Sequence, residues 1–206
     1  MNIKIYSRFL SSSILLHFVL CPLYTGVFGF IKPWTAVRDS LTYSQQFLTP
    51  SVIEGIEKKI FPERLNEAGI HYIMRHKLCY DAIDVQKEKT QARGWENKTK
   101  EKRMVRNQSV LNRGVLLNPV LYLCFSEKAL AQRASQQHVC LCRNEDILFP
   151  MPELLDLSEE QFAELSGFEL RFGKSNESFL VGFNRFDNNN PMYGWLEISG
   201  KPVFSL

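Results

Sequence analysis

The sequence predicts an α+β fold, with helices in the N-terminal part and a mainly antiparallel β-sheet in the C-terminal half. Between residues 52 and 83, apolar residues recur every three or four positions, as they do along one side of a helix. After residue 115, short runs are either wholly apolar or alternate between apolar and polar, as in strands. Helices that precede strands along the chain are typical of this class. An uncharged segment before residue 30 is expected to precede the domain.

Length and composition predict one globular domain over residues 30–206. The chain has 206 residues, of which 45% are hydrophobic and 23% are charged. These values exclude a disordered, collagen-like or polytopic membrane protein, and the chain is long enough to bury a core without a metal or a second copy. The net charge of +3 is too small to indicate a nucleic-acid-binding protein by itself.

The N-terminal segment has the pattern of an export signal. No Asp, Glu, Lys or Arg occurs between Arg8 and Lys32, and residues 14–20 are mostly apolar. Residues 1–29 are therefore predicted to be a signal peptide cleaved after Gly29, or a membrane anchor, because the uncharged run just reaches the ~20 residues that cross a bilayer. A buried core helix is the third interpretation, and Pro22 in the middle of the run argues against it. The C-terminal domain is accordingly expected outside the cytoplasm, in a secreted, periplasmic or membrane-anchored protein.

Local patterns predict the individual elements of the domain. Thr49-Pro50-Ser51 is typical of a helix start, and a helix is predicted over residues 52–60. A second helix is predicted from Pro62 to Ile83. The C-terminal predictions are strands at 115–117, 120–125 and 138–142, short helices over 126–136 and after a capping box at 158–161, and hairpins formed by 168–172 with 179–183 and by 195–198 with 202–204.

Charge is distributed unevenly along the chain. Residues 86–113 contain nine basic and three acidic side chains, a net charge of +6, whereas residues 144–206 have a net charge of −7. The simplest interpretation is an exposed basic connection that folds back over the acidic half. The candidate binding residues for an anionic partner are Lys98, Lys100, Lys102, Arg103 and Arg106, which could follow phosphates while the neighbouring tryptophan stacks on a base. Because export is expected, an anionic lipid or envelope polymer is favoured over nucleic acid, and a solvated loop without a partner is the simpler alternative.

Four cysteines remain if Cys21 is removed with the export segment. Cys140 and Cys142 are too close in sequence to bridge without strain, so each is predicted to pair with Cys79 or Cys124. The alternative is that all four are small buried apolar side chains.

A metal site is a weaker prediction for the same region. His138, Cys140 and Cys142 alternate and would project from one face of a strand, with ligands that suit zinc or copper. A fourth ligand is missing, so no cofactor is expected.

The candidate catalytic groups match no known motif. His71 and His76 are five residues apart, which separates them around a helix, and the carboxylates near them or near His138 come with no G-x-S-x-G nucleophile. We therefore predict a non-catalytic exported protein that binds a partner, either a protein or an anionic component of the envelope or membrane, or builds an envelope structure. The alternative is an exported hydrolase whose site is assembled from residues distant in sequence.

Overall fold

A computed structural model of the chain describes residues 19–33, 40–90, 94–106, 109–184 and 188–204. The described residues form fourteen strands and three α-helices. The strands are β1 (Val19–Thr25), β2 (Phe28–Gly29), β3 (Leu41–Tyr43), β4 (Ile73–Cys79), β5 (Ala82–Lys89), β6 (Glu96–Lys98), β7 (Arg103–Val105), β8 (Val110–Leu117), β9 (Val120–Phe125), β10 (Val139–Cys140), β11 (Ile147–Leu157), β12 (Gly167–Phe172), β13 (Phe179–Asn184) and β14 (Asn190–Ser199). The helices are α1 (Pro50–Ile60), α2 (Lys128–Ala134) and α3 (Glu159–Glu164).

Most strands belong to one antiparallel sheet of eight, in the order β10-β11-β1-β9-β4-β12-β14-β13. Strand β8 is the centre of a second sheet. Strand β5 pairs with one side of it in the antiparallel direction. On the other side, β2 pairs antiparallel and β3 pairs parallel. Strands β6 and β7 form a separate hairpin. The α+β prediction is therefore wrong, because strands make up much of the N-terminal half as well.

The predicted helix over residues 62–83 is wrong, because a strand that is buried on both faces does not show the alternating pattern of a surface strand. The structure has a 3₁₀ turn at Pro62–Arg64, then β4 and the start of β5. Strand β4 lies between β9 and β12 and is buried on both faces, so its side chains show no alternation of apolar and polar residues. The strand also buries three consecutive cationic or polar side chains, those of Arg75, His76 and Lys77.

Part of the predicted export segment belongs to the large sheet. Residues 1–18 lie outside the described ranges, and from Val19 the chain is β1, paired with β9 on one side and with β11 on the other. Cys21 and Tyr24 are fully buried there. Cleavage after Gly29 would remove β1 and β2 from this fold. None of the helices in the described ranges has both the length and the apolar character to cross a membrane.

Side chains from α1 pack against the large sheet and form the main core. Ile53, Ile56 and Ile60 are buried in one cluster with Leu121 and Leu123 of β9, and the helix predicted over residues 52–60 is confirmed. The capping box of α3 is confirmed too, because the Ser158 hydroxyl accepts from the Gln161 backbone N–H and the Gln161 side chain accepts from the Ser158 N–H.

A buried carboxylate links α1 to the start of β4. Glu57 is 1% exposed, and its two oxygens accept the backbone N–H groups of His71, Tyr72 and Ile73 at 2.7–2.8 Å. The charge is thus compensated by three donors that would otherwise be buried without an acceptor.

Two buried cations hold β4 to the C-terminal elements. The Arg75 guanidinium donates to both oxygens of Glu169 in β12, at 2.6 and 2.7 Å, and it also contacts Glu159 at the start of α3. The Lys77 ammonium donates to three carbonyls at the end of α3 and to the Ser199 hydroxyl, at 2.7–3.0 Å. Burial of Lys77 lowers its pKa.

Candidate functional site

The basic segment forms a paired β-arm rather than an irregular connection. Strands β5 and β8 pair along their whole length, from Ala82 opposite Leu117 to Lys89 opposite Val110. The Thr90 backbone N–H donates to the Ser109 carbonyl at 2.9 Å and continues this pairing. Residues 94–106, which we call the basic tip, follow at the far end of this arm.

The basic tip is a hairpin whose cations are exposed. Strands β6 and β7 pair so that Lys98 lies directly opposite Arg103, an arrangement of like charges that destabilises a hairpin by itself. Glu101 partly offsets it by accepting from the Arg103 Nε at 2.6 Å. Lys98, Lys100 and Lys102 form no ion pair with any residue that the structure describes, so three positive charges remain available to an external anion.

An exposed aromatic ring accompanies these charges. Trp95 is 61% exposed, and the Arg106 guanidinium carbon lies 5.1 Å from the centre of its ring. A cation over one face of an aromatic ring is a common arrangement in proteins, and the exposed area of the indole remains available for stacking. The tip therefore combines a flat aromatic surface with positive charge.

The basic residues at the base of the arm are already partnered. Arg113 and Arg143 lie 3.6 and 3.8 Å from Glu88, and both stand over the Phe30 ring. Arg143 also binds the buried Asp146 carboxylate at 2.7 Å. Lys87 and Lys89 of β5 are exposed and form no ion pair with a described residue, so the charge left for a partner lies along β5 as well as at the tip.

The cysteines are arranged differently from the predicted network. Cys21 and Cys124 lie on neighbouring strands β1 and β9 with their Cα atoms 4.2 Å apart, and they form a disulfide. Cys79, Cys140 and Cys142 are free thiols. The predicted pairing left Cys21 out because it assumed that the export segment is removed, and this assumption forced Cys124 towards a different partner.

The predicted metal ligands do not converge. His138 lies against the Phe149 ring, with a centroid distance of 6.2 Å, while the Cys140 sulfur contacts the Lys59 ammonium. Strand β10 ends at Cys140, so the alternation that would align Cys142 with the other two is interrupted. Within the described ranges, no three His, Cys, Asp or Glu side chains are grouped as a metal would require.

The imidazoles considered as catalytic groups stand in separate environments. The Nε2 atom of His71 lies 3.1 Å from the Ala68 carbonyl oxygen, near the surface. His76 is buried, and its Nε2 has no hydrogen-bond partner among the described residues. Burial lowers the pKa of His76 to about 4, so this ring is neutral at physiological pH. The Asp81 carboxylate, which is near His76 in the sequence, accepts a hydrogen bond from the Asn118 side chain at 2.7 Å and not from either ring.

Comparison with known proteins informs the fold. No protein-family model matches the sequence, and no curated protein is significantly similar to it. Among solved structures, the chain is similar to a chain of a "CRISPR RNA-guided surveillance complex", with a TM-score of 0.50 and 10% sequence identity. The similarity covers 91% of this chain and 92% of the other, so it concerns nearly the whole fold.

Proposed function

We propose that this protein is a non-catalytic RNA-binding subunit of a protein–RNA assembly, and that the basic tip contacts the RNA. The observation that carries the proposal is one hairpin that presents the exposed Trp95 with Arg106 beside it and three lysines that have no ion pair with a described residue. Phosphates supply the anions that these lysines lack, and an unpaired base supplies an aromatic face for the indole.

The fold likeness agrees with an RNA-associated role but does not rank RNA against other polyanions. The similar solved chain belongs to an RNA-guided complex, and the likeness extends over nearly all of both chains. At 10% identity this likeness concerns the fold, so the chemistry of the tip has to provide the argument for binding. An exposed indole beside several cations can stack an unpaired base while the lysines contact its phosphates, as in sites that bind single-stranded nucleic acid.

A binding role also agrees with the positions of the reactive side chains. The candidate catalytic side chains do not meet. His71 and Asp81 each have a separate local partner, and Asp146 is bound by Arg143. The Nε2 atom of His76 has no partner among the described residues. RNA binding by stacking and charge needs no such convergence, whereas hydrolysis needs a positioned acid, base or nucleophile.

Affinity for single-stranded RNA, measured by fluorescence anisotropy at several salt concentrations, tests the proposal. The variant Lys98→Gln/Lys100→Gln/Lys102→Gln is expected to bind at least about tenfold more weakly, and its salt dependence should fall by about two in log–log slope, since each contact to a single strand contributes roughly 0.7. Trp95→Ala should lose about 1–3 kcal/mol of binding free energy with its salt slope unchanged.

A matched control removes the same charge elsewhere. Lys128, Lys174 and Lys201 are exposed and lie outside the arm, and their triple Gln variant has the same net charge as the tip variant. If both triple variants lose affinity equally, binding follows net charge and the tip is not the site. If the wild-type protein binds no RNA at low salt, the proposed function is wrong.

Export remains a second candidate, and the disulfide supports it only for a form that keeps Cys21, because the predicted cleavage after Gly29 would remove this cysteine. Disulfides persist mainly in oxidising compartments, and Cys21 and Cys124 are bonded in this fold. In that case the tip would contact an anionic envelope component. Sedimentation with phosphatidylglycerol vesicles distinguishes the two: tip-dependent binding to vesicles without binding to RNA would favour the exported protein. Mass spectrometry of the native N-terminus would then show whether residues 19–29 are retained.

A further inference from the structure

A surface groove lies between α1 and the segment that follows β10. Its volume is about 340 Å³, which is within the range of small-molecule sites. Its polar lining consists of Ser51 and Lys59 from α1 and of the free thiols Cys140 and Cys142. Gly55, in the middle of the helix, also lines it, and a side chain there would meet no atom within 4 Å. Two thiols and an ammonium therefore share one open cleft.

The Cys140 sulfur is directly paired with a cation. The Lys59 ammonium donates to the Cys140 Sγ at 3.3 Å, although the two residues are 81 positions apart in the sequence. The only other polar contact of this sulfur within the described residues is a long one to the Asn144 carbonyl, at 3.9 Å. A neighbouring ammonium stabilises the negative charge that a sulfur carries when it attacks an electrophile.

The backbone around Cys140 and Cys142 is fixed by the contacts of two neighbouring residues, Leu141 and Asp146. Leu141 is 3% exposed, and it approaches Gly29 so closely that a side chain at Gly29 would overlap it. The Asp146 carboxylate accepts from the Arg143 backbone N–H at 3.0 Å and from the Arg143 side chain. Both neighbours of Leu141 are thereby presented to the groove by a fixed turn.

We propose that Cys140 is a modification site that forms a mixed disulfide with a low-molecular-weight disulfide of the glutathione class. The Cys140 thiolate attacks one sulfur of the small disulfide, a new S–S bond forms at Cys140, the original S–S bond breaks, and the other half leaves as a thiolate that takes a proton from water. No further oxidant is needed, because the small disulfide accepts the electron pair. The Lys59 charge and the first turn of α1, where Ser51 lies, favour a ligand with carboxylates.

Cys142 is not suited to remove the adduct. A bond between Cys140 and Cys142 would close a strained ring of only three residues. Although the Cys142 side chain is exposed, partial desolvation of its sulfur by neighbouring atoms raises its pKa, which reduces its thiolate fraction at neutral pH. The mixed disulfide should therefore persist until an external thiol reduces it.

Timed reaction of the full-length protein with oxidised glutathione tests the proposal. Intact mass should show one added glutathione, and fragmentation of the peptide that contains both cysteines should place it on Cys140. Lys59→Gln should slow the reaction about fivefold, as expected for loss of one nearby charge in a mostly solvated site. Lys58→Gln is the matched control, because the Lys58 ammonium pairs with Glu54 at 2.6 Å and does not line the groove.

Two further variants make the outcome unambiguous. Cys142→Ser should react at the wild-type rate, and Cys140→Ser should take up no glutathione on this segment. Equal modification of Cys140 and Cys142, or equal rates for Lys59→Gln and Lys58→Gln, would overturn the proposal and leave an ordinary exposed thiol. Lys59 is on the surface, so thermal melting of its variant should match that of the wild type.

Discussion

Because His76 is buried, the free energy of unfolding depends on pH, and the size of this dependence follows from the shift in the His76 pKa. Burial lowers the pKa of His76 from 6.5 to about 4, opposed by Glu169 and reinforced by the positive charges of Arg75 and Arg171. Between these two pH values the unfolded chain binds a proton at this position and the folded protein does not. Folding stability is therefore fully present above pH 6.5 and falls as the pH drops towards 4. A shift of this size corresponds to about 3 kcal/mol.

Substitution of His76 by phenylalanine isolates this contribution. The His76 ring stacks on Phe172 at a centroid distance of 6.4 Å, so an uncharged aromatic side chain suits the position. Urea unfolding of both proteins at several pH values should show that His76→Phe loses about 3 kcal/mol less than the wild type between pH 6.5 and pH 4. Parallel stability curves over this interval would refute the assignment of a neutral, desolvated imidazole to this position.

Three other buried interactions give predictions for the free energy of unfolding. Glu57→Ala should cost about 4 kcal/mol, measured by urea unfolding, because three backbone N–H groups lose their acceptor; a loss below about 1 kcal/mol would mean that water replaces the carboxylate. Glu169→Gln removes the buried partner of Arg75 and leaves the more exposed Glu159 and Glu197, so it should cost less than the roughly 3–5 kcal/mol of a wholly uncompensated buried charge. Arg75→Met/Glu169→Leu should recover part of the loss, and a double variant less stable than either single one would contradict this. Cys21→Ser should lower stability by about 4–5 kcal/mol relative to the oxidised protein, because the Cys21–Cys124 bond spans 103 residues, and a reducing agent should then have no further effect on the variant.

Elements specified by local chemistry were predicted from the sequence. Helix α1 begins where Pro50 follows a hydroxyl residue, strand β9 has the bounds of its apolar run at 120–125, and the capping box places the start of α3. Each of these signals depends on neighbouring residues alone, so the rest of the fold cannot change it easily.

Strand pairing could not be predicted from neighbouring residues. Strands at 168–172 and 179–183 exist, yet β12 pairs with β14 and β4, and β13 pairs with the other edge of β14. Residues 202–204 do not pair with β14 as predicted; Val203 forms a bridge with Tyr80 after β4. Hairpin patterns indicate proximity in sequence, whereas a sheet of eight strands is ordered by contacts over long distances.

Burial concealed two interior strands of the large sheet, β1 and β4. In β1 a continuous apolar run was interpreted as an export segment, because a strand covered on both sides has the same composition. In β4 the compensating partners of Arg75 and Lys77, such as Glu169, are more than 80 residues away, so the sequence does not show that these charges can be buried. Only tertiary structure reveals such compensation.

The candidate site was predicted in part. The charged residues of the tip were identified by the run of like charge, which is visible without a fold. The contact between Lys59 and Cys140 was missed because it joins α1 to a strand 81 positions later. The bond between Cys21 and Cys124 was missed because the export interpretation removed one partner beforehand.

Photo-crosslinking to a single-stranded RNA that contains 4-thiouridine tests the central claim most directly. The photoactivated base reacts with side chains in direct contact, and mass spectrometry of the digested adduct identifies the peptide. The account predicts that the main adduct lies within residues 94–106 and that Trp95→Ala reduces its yield. Adducts confined to residues 144–206, or a yield unaffected by Trp95→Ala and by glutamine at Lys98, Lys100 and Lys102, would contradict it.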